Sequence, residues 1–174
     1  MKAMKKILAF ALAGVMALAL LTGCGTGGSA SHKSIAKAMA DYDNGLWNNT
    51  ASITCTSSAE LDAKLQTWAT KPEFENVVKA VYNNDSSILS AIRSALSDSP
   101  ALSGKVVYLY CGKYDKDAGK QAINLNAHSA CINTPILSLA DERKIGLITT
   151  SFTDDTTHKK VKVRFAVVVS GPKS

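Results

Sequence analysis

His128 and Cys131 stand in the run His128-Ser129-Ala130-Cys131, a spacing that can set two ligands on one metal ion. Cys111 and Cys55 would complete a Cys₃His zinc set. No second close pair of ligands supports it, so no metal and no cofactor is assigned. The same residues could form a thiol nucleophile with His128 as its base. No thiol-protease motif surrounds Cys111 or Cys131, and no catalytic residue is assigned to either. Acid pairs occur at Asp115 and Asp117, at Asp141 and Glu142, and at Asp154 and Asp155. Glycoside hydrolysis needs two carboxylates facing each other about 5 to 9 Å apart. These pairs fall in turn-like stretches, where aspartate commonly caps the backbone and faces water. A G-x-S-x-G elbow and a P-loop are both missing from the chain.

Two further sets could form a binding surface. Tyr108 and Tyr110 alternate on one predicted strand, as a ladder for sugar rings would require. Lys160, Lys162 and Arg164 alternate on another, where they could meet anionic wall polymers or lipid headgroups. Each pattern has a plainer origin. Aromatic residues favour strands because they pack well, and lysines on an edge strand discourage stray pairing.

The N-terminus carries the strongest local signal. Lys2, Lys5 and Lys6 precede an apolar run from Ile7 to Leu21, which ends in Leu21-Thr22-Gly23-Cys24. A charged region, a greasy region and a small-residue cut site make a signal peptide. The greasy run falls short of the roughly 20 residues that cross a ~30 Å hydrocarbon core. The last four residues closely resemble the lipobox of bacterial lipoproteins. That resemblance covers residues 1–24 alone. It implies cleavage before Cys24, a diacylglyceryl thioether on the Cys24 sulfur, and attachment to membrane lipid on the extracytoplasmic face. Gly25-Thr26-Gly27-Gly28-Ser29-Ala30-Ser31 then reads as a random-coil tether, spanning on the order of 15 Å.

With leader 1–23 and tether 24–31 set aside, residues 32–174 suit one domain with its own core. Half of the formal charge of +6 belongs to Lys2, Lys5 and Lys6 of the leader, so the remainder gives no ground for nucleic-acid binding. Cys55, Cys111 and Cys131 remain. Outside the cytoplasm they could form one bridge, Cys111–Cys131 being the preferred pair, or stay as three reduced thiols.

The elements that must position these residues change register midway. Lys33 to Asp43 predicts a helix, with Ser31 as cap and Gly45 as stop. Trp47 follows, then a short extended piece from Ala51 to Thr56. Ser57 and Glu60 fit a capping box for a helix presenting Leu61, Leu65 and Trp68. Pro72 suits the first turn of a helix with a stripe of Phe74, Val77, Val78, Val81 and Tyr82. Asp85 can cap another, which buries Ile88, Leu89, Ile92 and Leu96 before Pro100 and Gly104. Period 2 then takes over. Strands are predicted at Lys105–Cys111, Gln121–His128, Ile136–Leu139, Ile145–Phe152 and Lys160–Ser170. Ala140 to Lys144 and Thr153 to Lys159 are expected turns.

Helices first and strands second predict an α+β fold: N-terminal helices on one face of a mostly antiparallel sheet, a meander of four or five strands. The functional expectation is a lipid-anchored, extracytoplasmic, non-enzymatic domain serving in binding or envelope assembly. Its partners would be membrane lipid through Cys24 and a cell-wall polymer or envelope protein. A small envelope hydrolase using Cys and His or paired carboxylates is the alternative.

Overall fold

Capping chemistry decides where the helices begin. Ser58 accepts the N–H of Leu61 and starts one helix, Asp85 accepts those of Ser87 and Ile88, and Asp117 accepts that of Lys120. The computed structural model describes residues 30–46, 52–96, 105–132 and 139–172. In chain order these hold α1 (His32–Leu46), β1 (Thr54–Ser57), α2 (Ala59–Ala69), α3 (Phe74–Tyr82), α4 (Ser86–Leu96), β2 (Val106–Lys113), α5 (Ala118–Asn126), β3 (Ser129–Cys131), β4 (Leu139–Thr153) and β5 (Lys160–Pro172). The leader with Cys24, Trp47, Pro100, Gly104, residues 136–138 and the Leu96 side chain lie outside the described residues. Among the described residues, no helix is long and apolar enough to cross a membrane.

The fold is α+β with a mostly antiparallel sheet of order β1-β4-β5-β2-β3. Only β1 runs parallel to its neighbour, β4. The turn after Thr153 joins β4 to β5 as a hairpin, while β1 leads to β2 by way of α2, α3 and α4, and β2 leads to β3 by way of α5.

Helices cover both faces of the sheet, where one covered face was expected. Val107, Leu109, Cys111, Val163, Phe165 and Val167 pack against α2, α3 and α4. On this side Trp68, Phe74 and Phe165 meet edge to face, with ring centroids 5.1, 5.4 and 5.9 Å apart. Tyr110, Ile145, Leu147, Ala166 and Val168 face the other way, under α1 and α5. The β5 alternation signals this arrangement, because Ala166 and Val168 interleave with Phe165 and Val167 in one apolar run.

Two glycines let helix backbones touch the strands. A Cβ on Gly112 would stand 2.3 Å from the backbone of Asn124 in α5. On the opposite face, a Cβ on Gly146 would stand 2.4 Å from the Leu61 Cβ and 2.7 Å from its carbonyl carbon in α2.

Five local expectations need correction. Gln121 to Asn126 is helical, not extended. Ala122 and Leu125 are buried, while Ile123 is 56% exposed, so the apparent alternation masks a narrow helical stripe behind the Asp117 cap. The cap of α2 is Ser58, not Ser57, and Glu60 pairs with Lys64 at 2.7 Å instead of closing a capping box. Residues 140–144 are no turn; β4 runs through them with an irregularity between Leu139 and Arg143. Gly45 lies inside α1, and α3 begins two residues past Pro72.

Candidate functional site

The sheet face that packs under α2, followed down β4, passes from Gly146 to Lys144 and then Glu142. Across the strand pairs, Thr54 stands opposite Glu142, Thr56 opposite Lys144, and Lys144 opposite Val169. These residues, with Lys105 just before β2, line a groove of about 460 Å³. It has the shape of an open trough. Val169 and the threonine side chains line it, and exposed Glu142, Lys105 and Lys144 give it one carboxylate and two ammonium groups. Such a surface can pair with both signs of charge on one ligand, or with a polar segment of a partner.

Arg143 lies between Glu142 and Lys144, but its side chain turns to the opposite face. There its guanidinium pairs with Asp43 of α1, and its Nε donates to the Ala140 carbonyl at 3.0 Å. The Cys55 thiol shares this face, and burial pushes it up to about 12, against a partial pull down from Arg143. Burial likewise raises Tyr110, with the Asp43 carboxylate adding to the effect. The groove floor is thus braced from behind by a buried polar cluster.

A second cluster closes the β1 edge. Asp62 of α2 accepts the Leu147 N–H at 2.7 Å through Oδ1, and its Oδ2 lies 2.7 Å from His32 Nδ1. Beyond the last β1 pair, Ser57 with Ile145, this carboxylate continues the edge of β4. One aspartate therefore ties α1, α2 and β4 together. Nothing in the sequence flagged it, because His32 and Asp62 are thirty residues apart and belong to no motif.

The sequence-predicted sites are distributed as follows. Cys131 pairs with Tyr108 in the β2–β3 ladder and shares its face. Cys111 points the other way, into the core under α3. Cys55 lies on β1, four strands from β3, or roughly 19 Å at the usual strand spacing. A disulfide needs Cα atoms within about 7 Å and converging Cβ vectors. The preferred Cys111–Cys131 bridge is therefore not made in the structure, and no disulfide joins any two of Cys55, Cys111 and Cys131. The reason is parity: an odd offset along paired strands puts the two side chains on opposite faces.

His128 sits beside Cys111 in the ladder, its ring stacked on Tyr82 with centroids 4.8 Å apart. It faces away from Cys131, so the H-x-x-C spacing does not converge, and no metal-ligand cluster occurs among the described residues. Burial pushes the Cys111 thiol up to about 12, which leaves it a poor nucleophile. Of the acid pairs, Asp117 caps α5 and Asp115 accepts the Asp117 N–H. Asp154 closes the β4–β5 turn, and Asp155 pairs with Lys79 at 2.8 Å. Glu142 rims the groove, and Asp141 does not line it.

The proposed binding ladders also separate. Tyr110 is buried and Tyr108 half-buried, stacked on each other with centroids 6.1 Å apart under the helical layer. Lys160 and Lys162 are exposed, but Arg164 is 2% exposed and donates to the Ala30 carbonyl at 3.3 Å. Moreover β5 is a central strand, flanked by β4 and β2, so its lysines guard no edge.

Comparison with protein-family models, with curated proteins and with solved structures finds no match to this chain.

Proposed function

We propose that this chain is a lipid-anchored, extracytoplasmic module that presents the Thr54–Lys144 groove to a polar ligand or partner of the cell envelope. The lipobox-like Leu21-Thr22-Gly23-Cys24 supplies the anchor. One observation carries the rest: the chain enters the fold and opens its groove at opposite ends of the sheet. Ala30 donates to the Lys116 carbonyl at 3.0 Å, beyond the end of β2, and accepts from Arg164 near the start of β5. The groove lies at the far end of the same strands, past Val169. Lys162 and Gly171, nine residues apart on β5, are roughly 30 Å from each other. Ala30 is six residues on from Cys24, a stretch that reaches no more than about 20 Å. An anchor on Cys24 therefore holds the tether end of the sheet beside the bilayer and turns the groove outward.

Two measurements test this reading. Cys24→Ala moves the protein from the membrane pellet to the soluble fraction; unchanged pelleting removes the anchor. A photo-crosslinker at Thr56, in the groove, captures an envelope component that the same group at Thr153 does not. Equal capture at both positions removes the groove.

A further inference from the structure

The tether end of the sheet has a chemistry of its own. Lys113 closes β2, Lys116 follows it, and Lys159, Lys160 and Lys162 leave the β4–β5 turn, all five exposed. They gather at one end of the sheet, where Lys113 pairs with Val163 and therefore faces the opposite side from Lys160 and Lys162. Tyr114 donates its N–H to the Lys162 carbonyl at 3.1 Å, and the Lys162 ammonium lies 3.9 Å from the Tyr114 ring centroid. Lys116 carries the carbonyl that receives Ala30, the first described residue of the chain. None of the five pairs with a carboxylate among the described residues.

Four aspartates share this end, and each is engaged. Asp115 accepts the Asp117 N–H, Asp117 that of Lys120, Asp154 those of Thr156 and Thr157, and Asp155 the Lys79 ammonium. Their oxygens are directed at turns and at α3, whereas the lysines extend into solvent. Solitary surface lysines need no explanation, but these gather at the end of the sheet where Ala30 joins the fold. Because β5 is central, edge protection does not account for them.

We propose that Lys113, Lys116, Lys159, Lys160 and Lys162 form a docking surface for the anionic headgroups of the anchoring membrane. This rests on the reading of Cys24 as the lipid attachment point. Basic residues within a Debye length of an anionic bilayer are drawn to it, and a tether spanning about 15 Å lets these come within that range. Two attachments, one covalent and one electrostatic, hold a domain in a fixed orientation where one leaves it free to turn. The surface would orient the groove away from the bilayer rather than add much to anchoring that the lipid already secures.

The experiment compares amine labelling of the full, membrane-extracted protein in vesicles of neutral phosphatidylcholine and in vesicles containing about 30% phosphatidylglycerol. Modification of Lys113, Lys116, Lys160 and Lys162 falls at least threefold in the anionic vesicles, while that of Lys144 in the groove is unchanged. High salt restores it. Lys160→Glu with Lys162→Glu abolishes the difference without releasing the protein from the membrane. Equal labelling in the two vesicle types overturns the surface, as does protection by a soluble anionic polymer in the absence of any by vesicles. The mass of the N-terminal peptide reports the lipid on Cys24 separately. If that residue is bare, the same comparison with protein added from solution still decides the lysine surface.

Discussion

Asp43 of α1 and Arg143 of β4 form an ion pair in which neither side chain is more than 15% exposed. The pair lies directly behind the groove, because the residues on either side of Arg143 supply its charged rim. Removing one partner leaves the other charge buried and unpaired, at a cost of about 3 kcal/mol. Asp43→Ala should lower the urea midpoint accordingly. Replacing both partners by leucine should cost clearly less than the sum of the single changes. Additive losses would show that the two side chains do not act as a pair.

Gly112 and Gly146 hold the two helical layers against opposite faces of the sheet. In both cases the obstacle to a Cβ includes helix backbone, which cannot rotate aside. Gly112→Ala and Gly146→Ala should each destabilise the fold by about 3 kcal/mol, as overpacking against a fixed wall does. Gly45 lies in α1 with nothing within 4 Å of its missing Cβ. Gly45→Ala should therefore stabilise by about 0.5–1 kcal/mol. Thermal unfolding of the three variants gives the comparison, and a tolerated Gly112→Ala would contradict the close approach of α5.

Much of the architecture was legible from residue spacing. The stripe at Phe74, Val77, Val78 and Val81 is buried as its period requires, and β2 and β5 lie where β-branched residues concentrate. Gln121 to Asn126 failed because a short helix with few apolar residues can mimic alternation, and only the Asp117 cap distinguishes it. Ala140 to Lys144 failed for a related reason. A polar stretch reads as a turn, yet here its charged side chains line the groove and pair with α1 while the backbone stays in the ladder. The groove was invisible because Thr54, Lys105, Lys144 and Val169 come from four separate segments. The basic row on β5 was half legible: its alternation predicts a shared side for Arg164 and the lysines, but not that α5 and the entering chain would cover Arg164.

Parity on the strands makes a prediction about the thiols. Cys55, Cys111 and Cys131 are too far apart, or face opposite ways, for any two to join without breaking the ladder. Protein isolated without reductant, then unfolded with an alkylating agent, should take up one label at each of the three. In the native state Cys111 should be the slowest to react, being fully buried in the core. A peptide linking Cys111 to Cys131 in the unreduced digest would require the β2–β3 pairing to be different.

The buried thiols also set the alkaline limit of the fold. An unfolded cysteine titrates near 9.0, while burial holds Cys111 and Cys55 protonated up to about 12. Between those values the folded chain binds protons that the unfolded chain has lost, so stability falls as pH rises. The contribution is fully present below pH 9.0 and is lost on the way to about 12. Each unit of pH in this window costs about 1.4 kcal/mol per thiol. Urea titrations at about pH 8 and about pH 10.5 should therefore show a loss of roughly 2 kcal/mol that depends on Cys111. Cys111→Ala, although less stable at the lower pH, should lose less between the two. Parallel losses in the variant and the parent would mean that the Cys111 thiol titrates alike in the folded and unfolded chain, contrary to its burial.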